Sequence, residues 1–328
     1  MGRLANDTIA DLLEGPVKHK DKASNLRRAK RIAERAPEVM VKISGHAKGA
    51  DHIKAHLDYI SRNGELAIED ERGEVLAGKA AVRALATDWA QDQWNRRRNT
   101  RDTTHIVLSM PNGTAPTDVQ KAARAFARRQ FGDNYQYVFA LHTDTDSPHV
   151  HLAVKNLGFD GRRLHVKKGD PQAWREAFAD ALERQGVEAE ATSRATRGVI
   201  MKGIGQAIKH MRERGLTPKV DQAKIREIIE DFNNAKAGRP RQPKPWEARI
   251  KARQSMVRKA WLTAAKDLHQ SEHPEDRALA KSIIGFVASM PAMKTERHTL
   301  QEKVVTQLQG EKQPDSNWVD TELEPGDE

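Results

Sequence analysis

At 328 residues the chain can bury a sizeable core, and its length predicts one catalytic domain of about 200 residues plus something smaller. The absence of cysteine excludes disulfides, thiolate metal sites and cysteine nucleophiles, and a formal net charge of +10 points to a polyanionic partner unless the basic residues simply cover solvated helices. The longest apolar stretches, around Phe139 and Ile283, fall far short of the roughly 20 residues a bilayer requires. No membrane insertion is therefore expected, and with no signal-peptide pattern at the start a cytoplasmic location is the simplest reading.

Residues 1–36 read as a basic helical arm, with Lys18, Lys20, Lys22, Arg27, Arg28, Lys30, Arg31 and Arg35 crowded ahead of Pro37. Either a solvated helix face or a polyanion contact accounts for that charge. The stretch 37–200 reads as the catalytic domain. It opens with a short strand over 39–43, closed by Gly45, and a helix over 50–62 that ends at Asn63-Gly64. A further helix is predicted over 79–98. From Thr104 to Met110 residues alternate, which puts His105, Val107 and Ser109 on one face of a strand and Ile106 and Leu108 on the other. Pro111-Asn112-Gly113 turns the chain into an amphipathic helix over 118–131. Two strands, 136–142 and 149–155, then form an antiparallel pair joined by the six-residue loop Thr143 to Pro148. Asp160-Gly161 marks a turn ahead of 163–167, and 171–185 reads as a helix closed by Gly186. The stretch 201–310 predicts basic helices interrupted by the Pro-rich linker 237–245, and 311–328 an acidic disordered tail. Strands followed by separate helices predict an α+β fold: a central antiparallel sheet flanked by helices, with a helical C-terminal extension.

The sharpest chemical signal is the stretch His142-Thr-Asp144-Thr-Asp146-Ser-Pro148-His149-Val-His151. On a strand, His149 and His151 project to the same face while Val150, Leu152 and Val154 face the core, and a hairpin returns His142 to their side. Three imidazoles with open coordination positions form a catalytic rather than a closed structural metal site. Beside a basic surface, the group on which such an ion would act is a phosphodiester. Of three tyrosines, Tyr135 and Tyr137 lie in or beside a strand and read as core, and Tyr59, taken alone, is also ordinary packing.

Four motifs in order resemble relaxases of the VirD2 and plasmid mobilisation class, over roughly 40–200. The string His56-Leu-Asp-Tyr59-Ile-Ser-Arg62-Asn-Gly64 resembles their first motif, and His105-Ile-Val-Leu-Ser109-Met-Pro-Asn-Gly-Thr114 their second. The three-histidine string is similar to the metal signature of the HUH endonuclease superfamily, and Ala191-Thr-Ser-Arg194-Ala-Thr-Arg197-Gly198 to a basic segment that closes the VirD2-type domain.

The resemblance implies that Tyr59 is the nucleophile, that Ser109 helps position the DNA, and that His142, His149 and His151 hold a divalent ion, Mg²⁺ or Mn²⁺. It implies nicking and rejoining of one strand at a plasmid transfer origin (oriT) through a covalent 5′-phosphotyrosyl intermediate. The expected partners are single-stranded oriT DNA, accessory relaxosome proteins and a type IV secretion coupling protein, in the cytoplasm of a bacterial donor cell. A free phenol, with a pKa of about 10, needs a base or a positive field to react at neutral pH. Asp144 and Asp146 are candidates for that base or for orienting a histidine, and Arg62, three residues on along the helix, for stabilising phenolate or phosphate. Lys167, Lys168, Arg194 and Arg197 are candidates for phosphate contacts, whereas Trp89, Trp94 and Trp174 either stack on bases or pack in the core. A rolling-circle replication initiator uses similar residues, but commonly with its tyrosine after the histidine motif, whereas Tyr59 precedes His142 by more than 80 positions. A non-catalytic DNA-binding protein with a structural metal would need a closed ligand set, often with cysteine.

Overall fold

The computed structural model describes residues 2–13, 22–91, 97, 99–201, 203–242 and 244–308. The acidic tail 311–328, Trp94, Lys18 and Lys20 lie outside them. Two helices, α1 (Gly2–Leu12) and α2 (Lys22–Ala33), lead into strand β1 (Met40–Ala47) and helix α3 (Ala50–Ile60). A short hairpin follows, β2 (Ile68–Asp70) and β3 (Val75–Leu76), then α4 (Gly78–Gln91), β4 (Thr103–Ser109) and α5 (Pro116–Phe131). Strands β5 (Tyr137–His142) and β6 (His149–Lys155) and helix α6 (Asp170–Glu183) complete this part. Helices α7 (Gln206–Glu213), α8 (Lys219–Lys236), α9 (Pro245–His269), α10 (Pro274–Ala288) and α11 (Glu296–Leu308) follow. The α+β architecture with a helical C-terminal part is the one expected, and among the described residues no helix is long and apolar enough to cross a membrane.

Among the described residues six strands form one antiparallel sheet in the order β1-β4-β6-β5-β2-β3. Period-two alternation gives the sheet two unlike faces. Ile106, Leu108, Tyr137, Phe139, Val150, Leu152 and Val154 join Val119, Phe126, Trp174 and Phe178 of α5 and α6 in the larger core. Val138, Ala140 and Ala153 turn the other way, onto Ile53, Leu57 and Ile60 of α3 and Val82, Ala86 and Trp89 of α4. In α3 those three residues recur at helical spacing, which fixes the roll of the helix on the sheet. Full burial of each large apolar side chain contributes about 1.5–3 kcal/mol. Trp89 and Trp174 are spent in these cores and cannot stack on DNA, and Tyr137 is likewise buried, as expected.

Several expectations need correction. Strand β1 runs on past Gly45 to Ala47, because a bulge between Ile43 and Gly45 restores its pairing with β4. The β2–β3 hairpin carries no strand-like sequence pattern: it is five residues of strand around a turn in which the Asp70 carboxylate accepts the backbone N–H groups of Arg72 and Glu74. Arg124 of α5 secures it through a bond to Glu69 Oε2 at 2.7 Å. Helix α3 stops at Ile60, short of the position predicted, whereas the predicted continuation of α4 over 92–96 and at 98 lies outside the described residues.

The basic segment before β1 is helical, but Arg28 and Arg31 are neither solvated nor free for DNA. Arg28 donates from Nε at 3.0 Å and Nη2 at 2.8 Å to the buried Glu190 carboxylate, whose other oxygen accepts from Arg31 Nη2 at 3.1 Å. Breaking such a buried pair costs about 3–5 kcal/mol, because it strands a charge.

The chain forms two compact units, one comprising the chain up to Ser193 with Ala264–Ile283, the other Arg194–Thr263 with the chain from Ile284 onward. In the second, Arg212 bonds Asp221 at 2.7 Å and Glu296 at 2.8 Å, and Arg241 bonds Glu247 at 2.8 Å. Part of the positive charge counted in the sequence is thus neutralised internally.

Candidate functional site

Register builds the site. In the β5–β6 ladder His142 stands opposite His149 and Ala140 opposite His151. Since Tyr137, Phe139 and Leu141 face the larger core, His142 projects from the opposite face, with His149 and His151. One ligand nitrogen from each of the three lies within 4.8 Å of the others, among the described residues a grouping fit to hold a metal ion. The ring centroids of His142 and His151 are 4.5 Å apart, and those of His149 and His151 5.1 Å.

Two of these rings are oriented by backbone carbonyls. His142 Nε2 donates to the Ile60 carbonyl, 2.8 Å away at the open end of α3, and His149 Nδ1 donates to the Ser147 carbonyl at 3.0 Å. A carbonyl only accepts, so the proton on each ring is fixed and the lone pair falls on Nδ1 of His142 and Nε2 of His149. Metal-ligating histidines commonly have this kind of outer support. Burial, with the neighbouring histidines and Arg62 adding to it, lowers His151 to about 3 and keeps it neutral, as ligation requires. Burial also lowers His142, against the raising effect of its bond to Ile60. The residues present therefore fit a divalent ion in ligand type, protonation and spacing.

Helix α3 brings Tyr59 to the same face of the sheet. Its ring packs edge-on against His151 at 5.3 Å between centroids and lies 6.1 Å from His142, yet the side chain is 51% exposed. The expected meeting of an early tyrosine with histidines from far along the chain is thus present.

Arg62 corrects an expectation. It does not continue the helix: Arg62 and Asn63 adopt left-handed φ values of 51° and 58°. Gly64 follows at 90°, where a Cβ would sit 2.3 Å from the backbone nitrogen of Lys79. Ser61 braces the turn, its hydroxyl accepting the Gly64 N–H at 3.1 Å. The turn folds Arg62 back, so its guanidinium lies 5.4 Å from the Tyr59 ring centroid, donates to His142 Nδ1 at 3.1 Å and pairs with Asp144.

The remaining candidates separate. Asp144 is tied to Arg62, while Asp146 is exposed and lines a groove of about 360 Å³ with Asn112, Gly113 and Thr145. Backbone carbonyls, rather than these carboxylates, orient His142 and His149. Ser109 is buried opposite His149, its hydroxyl donating to the Pro148 carbonyl at 3.3 Å, where it braces the loop that carries the histidines. Lys167 and Lys168 are exposed ahead of α6 in the first unit. Arg194, exposed and bonded to the Met201 carbonyl, and the half-buried Arg197 belong to the second.

Sequence reasoning missed one pair. His56, one turn before Tyr59, stacks on His105 of β4 with centroids 3.3 Å apart and planes 8° from parallel. Burial lowers them to about 4 and about 3, so two more neutral imidazoles lie on the histidine face. The signal lies in the spacing: His56 is three residues from Tyr59 on a helix, and His105 shares its strand face with Ser109.

The site thus joins a histidine hairpin on an antiparallel sheet to a helix-borne tyrosine. Residues 59–187 match the relaxase family described as MobA/VirD2-like, nuclease domain. Among individual proteins, the chain is 30% identical to the T-DNA border endonuclease VirD2 of Rhizobium radiobacter over 56% of this chain and 48% of that protein. It is 30% identical to the same-named protein of Rhizobium rhizogenes, over 52% and 44%, and 27% identical to that of Agrobacterium fabrum, over 67% and 55%. The chain thus spans about half the length of the curated relatives it matches. A solved chain described under "Molecular Basis of Vancomycin Resistance Transfer in Staphylococcus aureus" aligns at a TM-score of 0.32 and 18% identity, over 48% of this chain and 99% of its own.

Proposed function

We propose that the protein nicks and rejoins one DNA strand at a plasmid transfer origin or border sequence, with Tyr59 as the nucleophile. The observation that carries this reading is the placement of the half-exposed Tyr59 edge-on against His151. The Tyr59 oxygen attacks the scissile phosphorus in line as the bond to the 3′-oxygen breaks. The phenol loses its proton, the departing 3′-oxygen gains one, and the 5′ end remains as a phosphotyrosyl ester. Attack by a 3′-hydroxyl reverses the step, and because one ester replaces another no nucleotide cofactor is consumed.

His142 through Nδ1, His149 through Nε2 and His151 would hold the ion, Mg²⁺ or Mn²⁺, which supplies charge neutralisation at a phosphodiester oxygen. Arg62, its guanidinium 5.4 Å from the Tyr59 ring centroid, supplies positive charge beside the path of the incoming phosphate. Ser109 acts on the DNA indirectly, by holding the loop ahead of His149. The strand must be unpaired to reach the pocket, and Lys167, Lys168, Arg194 and Arg197 are proposed to contact its phosphates. Accessory relaxosome proteins and a type IV secretion coupling protein are the proposed protein partners.

Purified protein incubated with Mn²⁺ and labelled single-stranded origin oligonucleotides is expected to give an SDS-stable adduct. Tyr59→Phe should abolish the adduct while DNA binding stays nearly intact. An undiminished adduct with that variant would overturn the assignment.

A further inference from the structure

The lone pair that His142 must offer a metal ion already has an occupant. With Nε2 of the ring donating to Ile60, Nδ1 is the free acceptor, and the nitrogen that donates to it, at 3.1 Å, belongs to Arg62. A guanidinium has no lone pair and does not deprotonate in proteins, so it cannot share Nδ1 with a cation. The backbone that delivers it is costly. Two successive non-glycine residues in the left-handed region carry on the order of 1–3 kcal/mol of strain each, whereas a helix could have ended on a glycine alone. The same nitrogen, Nη2, also pairs with the Asp144 carboxylate, and Asp144, being half exposed, leaves that ion pair room to move outward.

Resting on the reading of His142, His149 and His151 as metal ligands, we propose that Arg62 is a latch on the ion site: its guanidinium and a divalent cation exclude one another at Nδ1 of His142. Binding the ion breaks the Arg62–His142 bond and swings the guanidinium away from the imidazoles, still tethered to Asp144. The metal-free site is thereby kept closed and free of electrostatic frustration by a cation the chain itself supplies. The ion has to pay for opening it, so the affinity of the free protein is set below what three imidazoles alone would give.

Calorimetric titration of the full-length chain with Mn²⁺ tests this directly, with no turnover involved. Removing a charge-assisted hydrogen bond that competes with the ion should tighten Mn²⁺ binding about tenfold in Arg62→Ala. Arg62→Lys keeps the charge on a shorter stem that falls short of Nδ1, and should tighten binding by nearly as much. Unchanged or weaker affinity in Arg62→Ala would overturn the latch, as would an Arg62→Lys variant that binds like wild type, since the effect would then be one of charge and not of an occupied nitrogen. Thermal melts of both variants check that the fold is kept. If wild type forms its Tyr59 adduct normally while Arg62→Ala shows no gain, the latch alone fails; if neither wild type nor variants bind Mn²⁺, the metal reading fails with it.

Discussion

The β5–β6 hairpin and the turn that follows Tyr59 contribute to one site by opposite means. The hairpin is regular: its ladder pairs residue with residue from Tyr137 to His149, and the alternation that buries Val150, Leu152 and Val154 also aims His149 and His151. The turn is irregular, three left-handed residues in succession, and it places Arg62 by backbone strain and not by periodicity. Regular structure places imidazoles whose positions the core guarantees. Irregular structure places the guanidinium proposed to move.

The contrast can be broken from either side. On the hairpin, His149→Ala should lower Mn²⁺ affinity by on the order of 100-fold or more, since even loss of an outer-shell partner commonly costs 10–100-fold, while barely changing stability. Retained affinity with unchanged cleavage would mean that the ladder serves packing alone. In the turn, Gly64→Ala should do the reverse. A Cβ pressed against Lys79 at a φ of 90° costs on the order of 2–4 kcal/mol of stability, read by urea denaturation, with the ligand set left intact. A smaller effect concerns the ground the two share. His105 and His56 are held neutral at about 3 and about 4 when folded, whereas an unfolded histidine protonates near 6.5. The unfolded chain then binds more protons, so stability should decline as pH falls from about 6.5 toward 4. His105→Phe should flatten that decline in thermal melts across the range; an unaltered slope would place the acid sensitivity elsewhere.

Legibility in the sequence follows the same division. Strands β4, β5 and β6 were readable because each alternates against a core, and so were the face of the histidines and the loop between β5 and β6. What could not be read is set by tertiary contact. Strand β1 continues only because a bulge absorbs the break at Gly45, and β2 and β3 are strands only because β5 and Arg124 hold them. The sequence predicts Arg62 on a helix that in fact stops two residues before it, since nothing local forbids another turn there. The His56–His105 stack joins residues 49 positions apart that no single motif links. Charge misled most: Arg28, Arg31, Arg212 and Arg241 count toward a basic surface in composition, yet in the fold each is paired with a carboxylate.

The most direct test of the account is to locate the covalent bond. After reaction with an origin oligonucleotide in Mn²⁺ and nuclease trimming, mass spectrometry of the digested protein should find the nucleotide remnant on the peptide containing Tyr59. A remnant on Tyr135 or Tyr137, or cleavage with no tyrosine carrying the strand, would contradict the claim that this tyrosine and the three imidazoles form one strand-transfer centre.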